Sequence, residues 1–117
     1  SKRKDIIILD RYIPYSSMTE QHEEIKMVIF PSDRNGYAMF AAAMNINEKK
    51  SNHLNPKKSY PRIEFPMNLR GKSEEELRSY HPGLFFVHPS GHMASCDSIK
   101  DCIELYQKIE KINMNLT

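Results

Sequence analysis

The chain lacks most of the features that would place it at once. Its 117 residues hold two cysteines, Cys96 and Cys102. These are too few for a disulfide scaffold and suit a reducing, intracellular compartment, cytoplasmic or, in a eukaryote, nuclear or mitochondrial. No apolar run approaches the ~20 residues of a membrane span. The longest is the eight-residue Tyr37–Met44, which argues against membrane partners. The run behind the basic start, Ile6–Leu9, is too short for the core of a signal peptide. There is no internal repeat, and no Gly-rich phosphate fingerprint of the Rossmann or P-loop type. Net charge is only +2, so the overall balance makes no case for nucleic acid.

Hydrophobic residues at 39% and charged residues at 27% are ordinary globular usage and exclude a disordered tail. One domain spanning residues 1–117 is expected, long enough to fold without a metal or disulfide staple. The charge is uneven. Residues 1–62 carry 11 Lys/Arg against 7 Asp/Glu, and residues 63–117 carry 6 against 8. The excess lies in Lys2-Arg3-Lys4 and in Lys49-Lys50, Lys57-Lys58 and Arg62. Such a loop can attract phosphates, but a solvated loop is the favoured reading.

Alternation and turn residues predict a mixed, partly antiparallel sheet of α/β or α+β class, packed by two main helices at about 73–80 and 98–112. Ile6–Leu9 reads as a buried strand, and Thr19–Glu24 as a short helix or turn. Ile25–Phe30 and Tyr37–Met44 should fold back as a hairpin through Asn35-Gly36, with Ala41–Ala43 admitting a helix as the competitor. Residues 45–62 read as a long loop, and Ile63–Phe65 as an edge strand. Ser73 with Glu76 forms a capping-box pattern. Leu84–His88 is a second buried strand. Ile99, Cys102, Ile103, Tyr106 and Ile109 form the apolar stripe of a helix capped by Ser98.

Three places invite chemistry. His88, His92 and Cys96 fall at four-residue intervals, as zinc ligands on a helix do, with His81 a conceivable fourth. Pro89 and Gly91 oppose that helix, so a strand-end and a loop histidine are favoured. Cys96, just ahead of a helix, invites a lowered pKa but has no positioned base. Ser90–Ser95 reads as a turn of small residues running straight into a helix N-terminus. There Ser90, Gly91, His92 and Ser95 would meet a phosphate together with free N–H groups. Arg70, beside Gly71, either bonds local carbonyls, the favoured role, or faces the same phosphate.

Ile7-Ile8-Leu9-Asp10-Arg11-Tyr12-Ile13-Pro14 resembles the "vLDryiPw" segment of the melanocyte-proliferating-gene family. Phe65–Leu77 resembles its "fPepwRGlrdeeL", with Met67-Asn68-Leu69 in place of Glu-Pro-Trp. Pro82–His92 resembles its "pGciFVHaSGf", with His92 where an aromatic is common. The resemblance implies a metal-dependent hydrolase of the DHH phosphoesterase superfamily whose animal members are implicated as 3′→5′ RNA exonucleases. It also implies that this chain is the C-terminal, substrate-binding domain. The catalytic N-terminal domain, with its His-Asp-Gly metal motif and a divalent metal (Mn or Mg), lies elsewhere. Gly91-His92-Met93-Ala94 is similar to the Gly-His-x-Ala core of the substrate-binding domain in other DHH phosphoesterases. Implied partners are RNA or nucleotide phosphate and the missing catalytic domain, with no cofactor held here and no catalysis by this chain alone. The alternative is a non-catalytic interaction module of the same fold.

Overall fold

A computed structural model describes residues 4–115; the basic pair Lys2-Arg3 lies outside them. Its ten elements form an α+β domain. They are β1 (Ile6–Ile8), α1 (Ser16–Gln21), β2 (Met27–Pro31), β3 (Tyr37–Ala41), α2 (Ile46–Ser51), a 3-10 turn (Met67–Leu69), α3 (Glu74–Tyr80), β4 (Leu84–Val87), β5 (Met93–Cys96) and α4 (Ile99–Asn115). Among the described residues no helix is long and apolar enough to cross a membrane.

The five strands lie in the order β1-β2-β3-β5-β4. β1 runs parallel to β2 through a crossover that carries α1, and every other pair is antiparallel. The expected hairpin forms: Met27 pairs with Ala41 and Pro31 with Tyr37. Gly36 supplies the positive φ the turn requires, whereas Asn35 does not. The strand also wins over the helix at Tyr37–Ala41, because its alternate side chains are buried on both faces of the sheet.

Three expectations are corrected. Residues 45–62 are not all loop, since α2 starts at Ile46 with Asn45 as its N-cap. The Asn45 side chain accepts from the Glu48 N–H, and Glu48 accepts from the Asn45 N–H, a reciprocal capping box. Ile63–Phe65 forms no strand; Ile63 and Phe65 are buried as an irregular cover over the core. Finally, Ser90–Ser95 is not one loop: its second half is β5, which pairs with β3 and β4 in the centre of the sheet.

One sheet face is covered by α3 and α4. Met27, Ile29, Met39, Leu84, Val87 and Cys96 pack there against Leu77, Cys102, Leu105, Tyr106 and Ile109. Ser73 caps α3 by accepting from the Glu76 N–H, while its hydroxyl donates to the Glu76 carboxylate. Ser98 caps α4 by accepting from the Asp101 N–H. On α4 the buried positions are 102, 105, 106 and 109, so Leu105 joins the expected stripe while Ile99 and Ile103 sit at its margin. The opposite face is covered over only its β1–β2 half, where Leu9, Tyr15 and Met18 pack on Val28 and Phe30. The β3-β5-β4 half of that face is open.

Candidate functional site

The connection between β4 and β5 is the five-residue turn His88–His92. The His88 N–H donates to the Met93 carbonyl and the Gly91 N–H to the His88 carbonyl. Gly91 takes φ +77°. A second segment braces the turn from outside. The Phe65 N–H donates to the Gly91 carbonyl at 3.0 Å, and Arg70 Nε donates to the Phe65 carbonyl at 2.9 Å. A Cβ at Gly91 would fall 2.3 Å from Arg70 Cζ, so the guanidinium lies against the bare backbone of the turn. Arg70 is thus placed as a positioning residue, tying residues 65–70 to the turn, with Glu64 3.8 Å away. Arg70→Ala should lower the melting temperature by several degrees, because it removes a charge-assisted bond and the packing over Gly91. Thermal denaturation followed by circular dichroism checks this; an unchanged midpoint with weaker phosphate binding would give Arg70 the other role.

Ser90, His88 and His92 converge within the turn. The Ser90 N–H donates to His88 Nδ1 at 3.0 Å, which makes Nδ1 the acceptor and leaves the ring proton on Nε2. The Ser90 hydroxyl bonds both His88 Nδ1 and His92 Nδ1. With His88 accepting, the consistent assignment runs from His92 Nδ1–H to Ser90 Oγ and from the Ser90 hydroxyl to His88. The imidazoles stand edge to face at 4.8 Å. Burial holds the His92 pKa below the ordinary histidine value, and the neighbouring His88 adds to that. His92 is half-buried and, with Ser90, lines a cleft of about 460 Å³ whose other walls include Tyr15, Ser16, Phe40 and Ser59. Protonation of His92 would turn Nε2 from an acceptor into a charged donor, the group that an entering phosphate oxygen needs.

The structure does not bring the helix N-terminus to this turn. β5 intervenes, roughly 13 Å of extended chain, and the first turn of α4 is already capped by Ser98. The backbone part of the expected anion site is therefore absent, and the N–H groups of Ser90 and Gly91 are bonded within the turn. Ser95 is likewise separated from Ser90 and His92. It sits in β5, buried, on the open face of the sheet.

The other candidates resolve plainly. Cys96 does not join His88 and His92, because it is buried in the core against Cys102. Its thiol is pushed far up by the hydrogen bond to Cys102 and by burial, the reverse of an activated nucleophile. His81 lies elsewhere, in a group with Asp101 and Glu104. Its Nε2 bonds the Asp101 carbonyl, and its Nδ1 meets the Lys108 ammonium at 3.1 Å. Both ring nitrogens are occupied and a cation is already present, which does not fit Mn²⁺ or Mg²⁺ and their need for clustered oxygen ligands. Glu74 pairs with Arg78, and Glu76 serves the cap of α3. In the basic stretch Lys49 donates to the Pro56 carbonyl, and Arg62 is a buried ion-pair partner rather than a phosphate contact. Phe40 and Tyr15, which wall the cleft, escaped the sequence reading. Continuous apolar strands carry no mark of which side chain ends beside a histidine.

The family model MYG1_exonuc, described as "Uncharacterised protein family (UPF0160)", matches residues 1–109. No curated protein and no solved structure matches the chain. A match over so much of the sequence settles membership: the chain belongs to the MYG1_exonuc family.

Proposed function

We propose that this chain is the C-terminal substrate-binding domain of a metal-dependent, exonuclease-like phosphodiesterase. On this reading the divalent metal, Mn²⁺ or Mg²⁺, and the hydrolytic groups belong to a DHH-type catalytic domain outside the chain. The turn Ser90-Gly91-His92 takes a phosphate of RNA or of a nucleotide. The observation that carries the reading is the His92–Ser90–His88 relay beside an open cleft. It positions imidazole nitrogens at the surface and gives them a route to hold a proton. The exonuclease in the family's name supports a phosphodiester substrate, and the Gly91-His92-Met93-Ala94 resemblance supports the binding role. Arg70 holds the turn through Phe65 and Gly91, so it acts on phosphate through geometry.

The test is equilibrium binding of a short 5′-phosphorylated RNA to the 117-residue chain, without metal so that no turnover intrudes. His92→Ala should weaken binding about tenfold or more, the worth of one charge-assisted bond. Its unfolding free energy should stay within about 0.5 kcal/mol of the parent, since His92 is half-buried at a turn. Equal affinity of parent and variant would end the assignment. Affinity should also rise as pH falls, because binding recruits the protonated imidazole. That rise should level off only below the ordinary histidine value of about 6.5, since the His92 pKa of the free protein is depressed. The free protein should show the opposite slope. Its unfolded state takes up the proton at higher pH than the fold does, so the stability from neutral His92 is lost as pH falls below about 6.5.

A further inference from the structure

The open half of the sheet has an uneven floor that the strand register dictates. Phe30 pairs with Ala38, Ala38 with Ser95, and Ser95 with Phe86. One row across β2, β3, β5 and β4 therefore reads large, small, small, large. At about 4.8 Å per strand, the outer rings stand roughly 14 Å apart, with only a methyl and a hydroxymethyl between them. Tyr12 leans on Phe30 at 5.4 Å and raises that wall. The result is a groove of about 800 Å³.

Two observations say what the groove suits. First, aromatic rings continue from it into the phosphate cleft: Phe30 stacks on Phe40 at 5.5 Å and 7°, Phe40 lies 5.9 Å from His92, and His88 lies 6.3 Å from Phe86. Phe40 lines both cavities. Second, Ser95 is only 6% exposed and lines the groove floor, and its hydroxyl has no hydrogen-bond partner among the described residues. Among the described residues no buried side-chain polar atom lacks a partner, so the Ser95 hydroxyl itself reaches the groove, where it offers a donor and an acceptor to a planar heteroaromatic. Phe86, 39% exposed, and Tyr12, 61% exposed, are the groove rings that face solvent; an exposed ring beside a sheet suits an unstacked base, and such stacking tolerates any sequence because every base has a π-face.

We infer that this slot seats one nucleobase of a single-stranded nucleic acid, over Ala38 and Ser95 and against Phe86. The inference rests on the phosphate assignment above only for direction: the phosphate of the same nucleotide reaches the His92–Ser90 turn past Phe40. The slot binds the base, the turn binds the charge, and neither reads sequence.

The experiment separates the two. The full chain is titrated with pentaadenylate carrying one 2-aminopurine, and with an abasic ribose-phosphate pentamer of equal charge. The base-bearing strand should bind about tenfold or more tightly than the abasic one, with quenched 2-aminopurine fluorescence. Phe86→Ala, at a position 39% exposed and safe for folding, should erase that preference and the quenching. Ala38→Leu, which fills the floor, should do the same, with thermal melting to verify its fold. Equal binding of the two strands overturns the base slot while leaving the phosphate site intact. Base-dependent binding that His92→Ala leaves unchanged keeps the slot and removes the phosphate site. If neither strand binds, or if Phe86→Ala alters only self-association in sedimentation, the face belongs to protein and the inference fails.

Discussion

Replacing Arg62 with alanine is expected to cost about 3–5 kcal/mol of folding stability, the loss that follows when one member of a buried ion pair is removed. The Arg62 side chain is 1% exposed. Its Nε donates to both Glu48 oxygens, at 2.9 and 3.1 Å, and Nη2 donates to Glu48 Oε1 at 2.7 Å. The remaining N–H groups take the carbonyls of Thr19 at 2.6 Å, Ile25 at 2.9 Å and His22 at 3.1 Å. One guanidinium thus gathers the end of α1, the approach to β2 and the cap of α2. Alanine would leave the Glu48 carboxylate, 14% exposed, without its partner, and would strip the guanidinium from the carbonyls of Thr19 and Ile25, while that of His22 keeps the Ile25 N–H. For a domain of this size the melting temperature should fall by about 10–20 °C. Lysine keeps the charge but not the fork, and should recover only part of the loss. Urea unfolding measures it; a loss under about 1 kcal/mol would mean the pair behaves like a surface bridge.

Gly36→Ala is the second large effect expected, above about 2 kcal/mol. Gly36 has φ +66°, and a Cβ there would lie 2.3 Å from the carbonyl oxygen of Cys96. That oxygen belongs to the backbone of the interior strand β5, opposite Tyr37, so no flexible side chain can yield. Either the hairpin turn changes type or β3 and β5 separate at that end. Gly71 is the internal control. Its φ is +67°, but the nearest atom to a Cβ is Pro89 Cγ at 3.8 Å, so Gly71→Ala should show the backbone cost alone. Parallel denaturation curves decide: equal losses at the two positions would show that the close approach to Cys96 carries no weight.

The local elements were legible because their causes are local. Asn35-Gly36 between two apolar runs, Ser73 ahead of Glu76, and Ser98 ahead of an i, i+3, i+4, i+7 stripe each act within a few residues. The structure has them where the pattern puts them. The capping box at Asn45-x-x-Glu48 was equally visible and was hidden by the polar composition around it. The turn at Ser90–His92 was marked as a place for a ligand, and its side chains do converge. Its supposed partner, a helix N-terminus, was wrong because the four residues Met93–Cys96 are a strand. Methionine, alanine, serine and cysteine carry little strand propensity, and only the space between β3 and β4 makes them extended.

What the sequence determined by itself is the set of elements whose stabilising groups lie within a turn or two of chain: the hairpin, the caps, the buried strand Leu84–Val87 and the amphipathic α4. Tertiary structure decided everything that depends on which strand lies beside which. Insertion of β5 between β3 and β4 buries Cys96, lays Ala38 and Ser95 side by side between two phenylalanines, and brings Phe40 to His92. The packing of α1 and α2 beside the start of β2 likewise lets Arg62 reach residues 14 to 43 positions away. Sheet order and register arise from contacts distant in sequence, and a shift of one residue would turn each of these side chains to the other face.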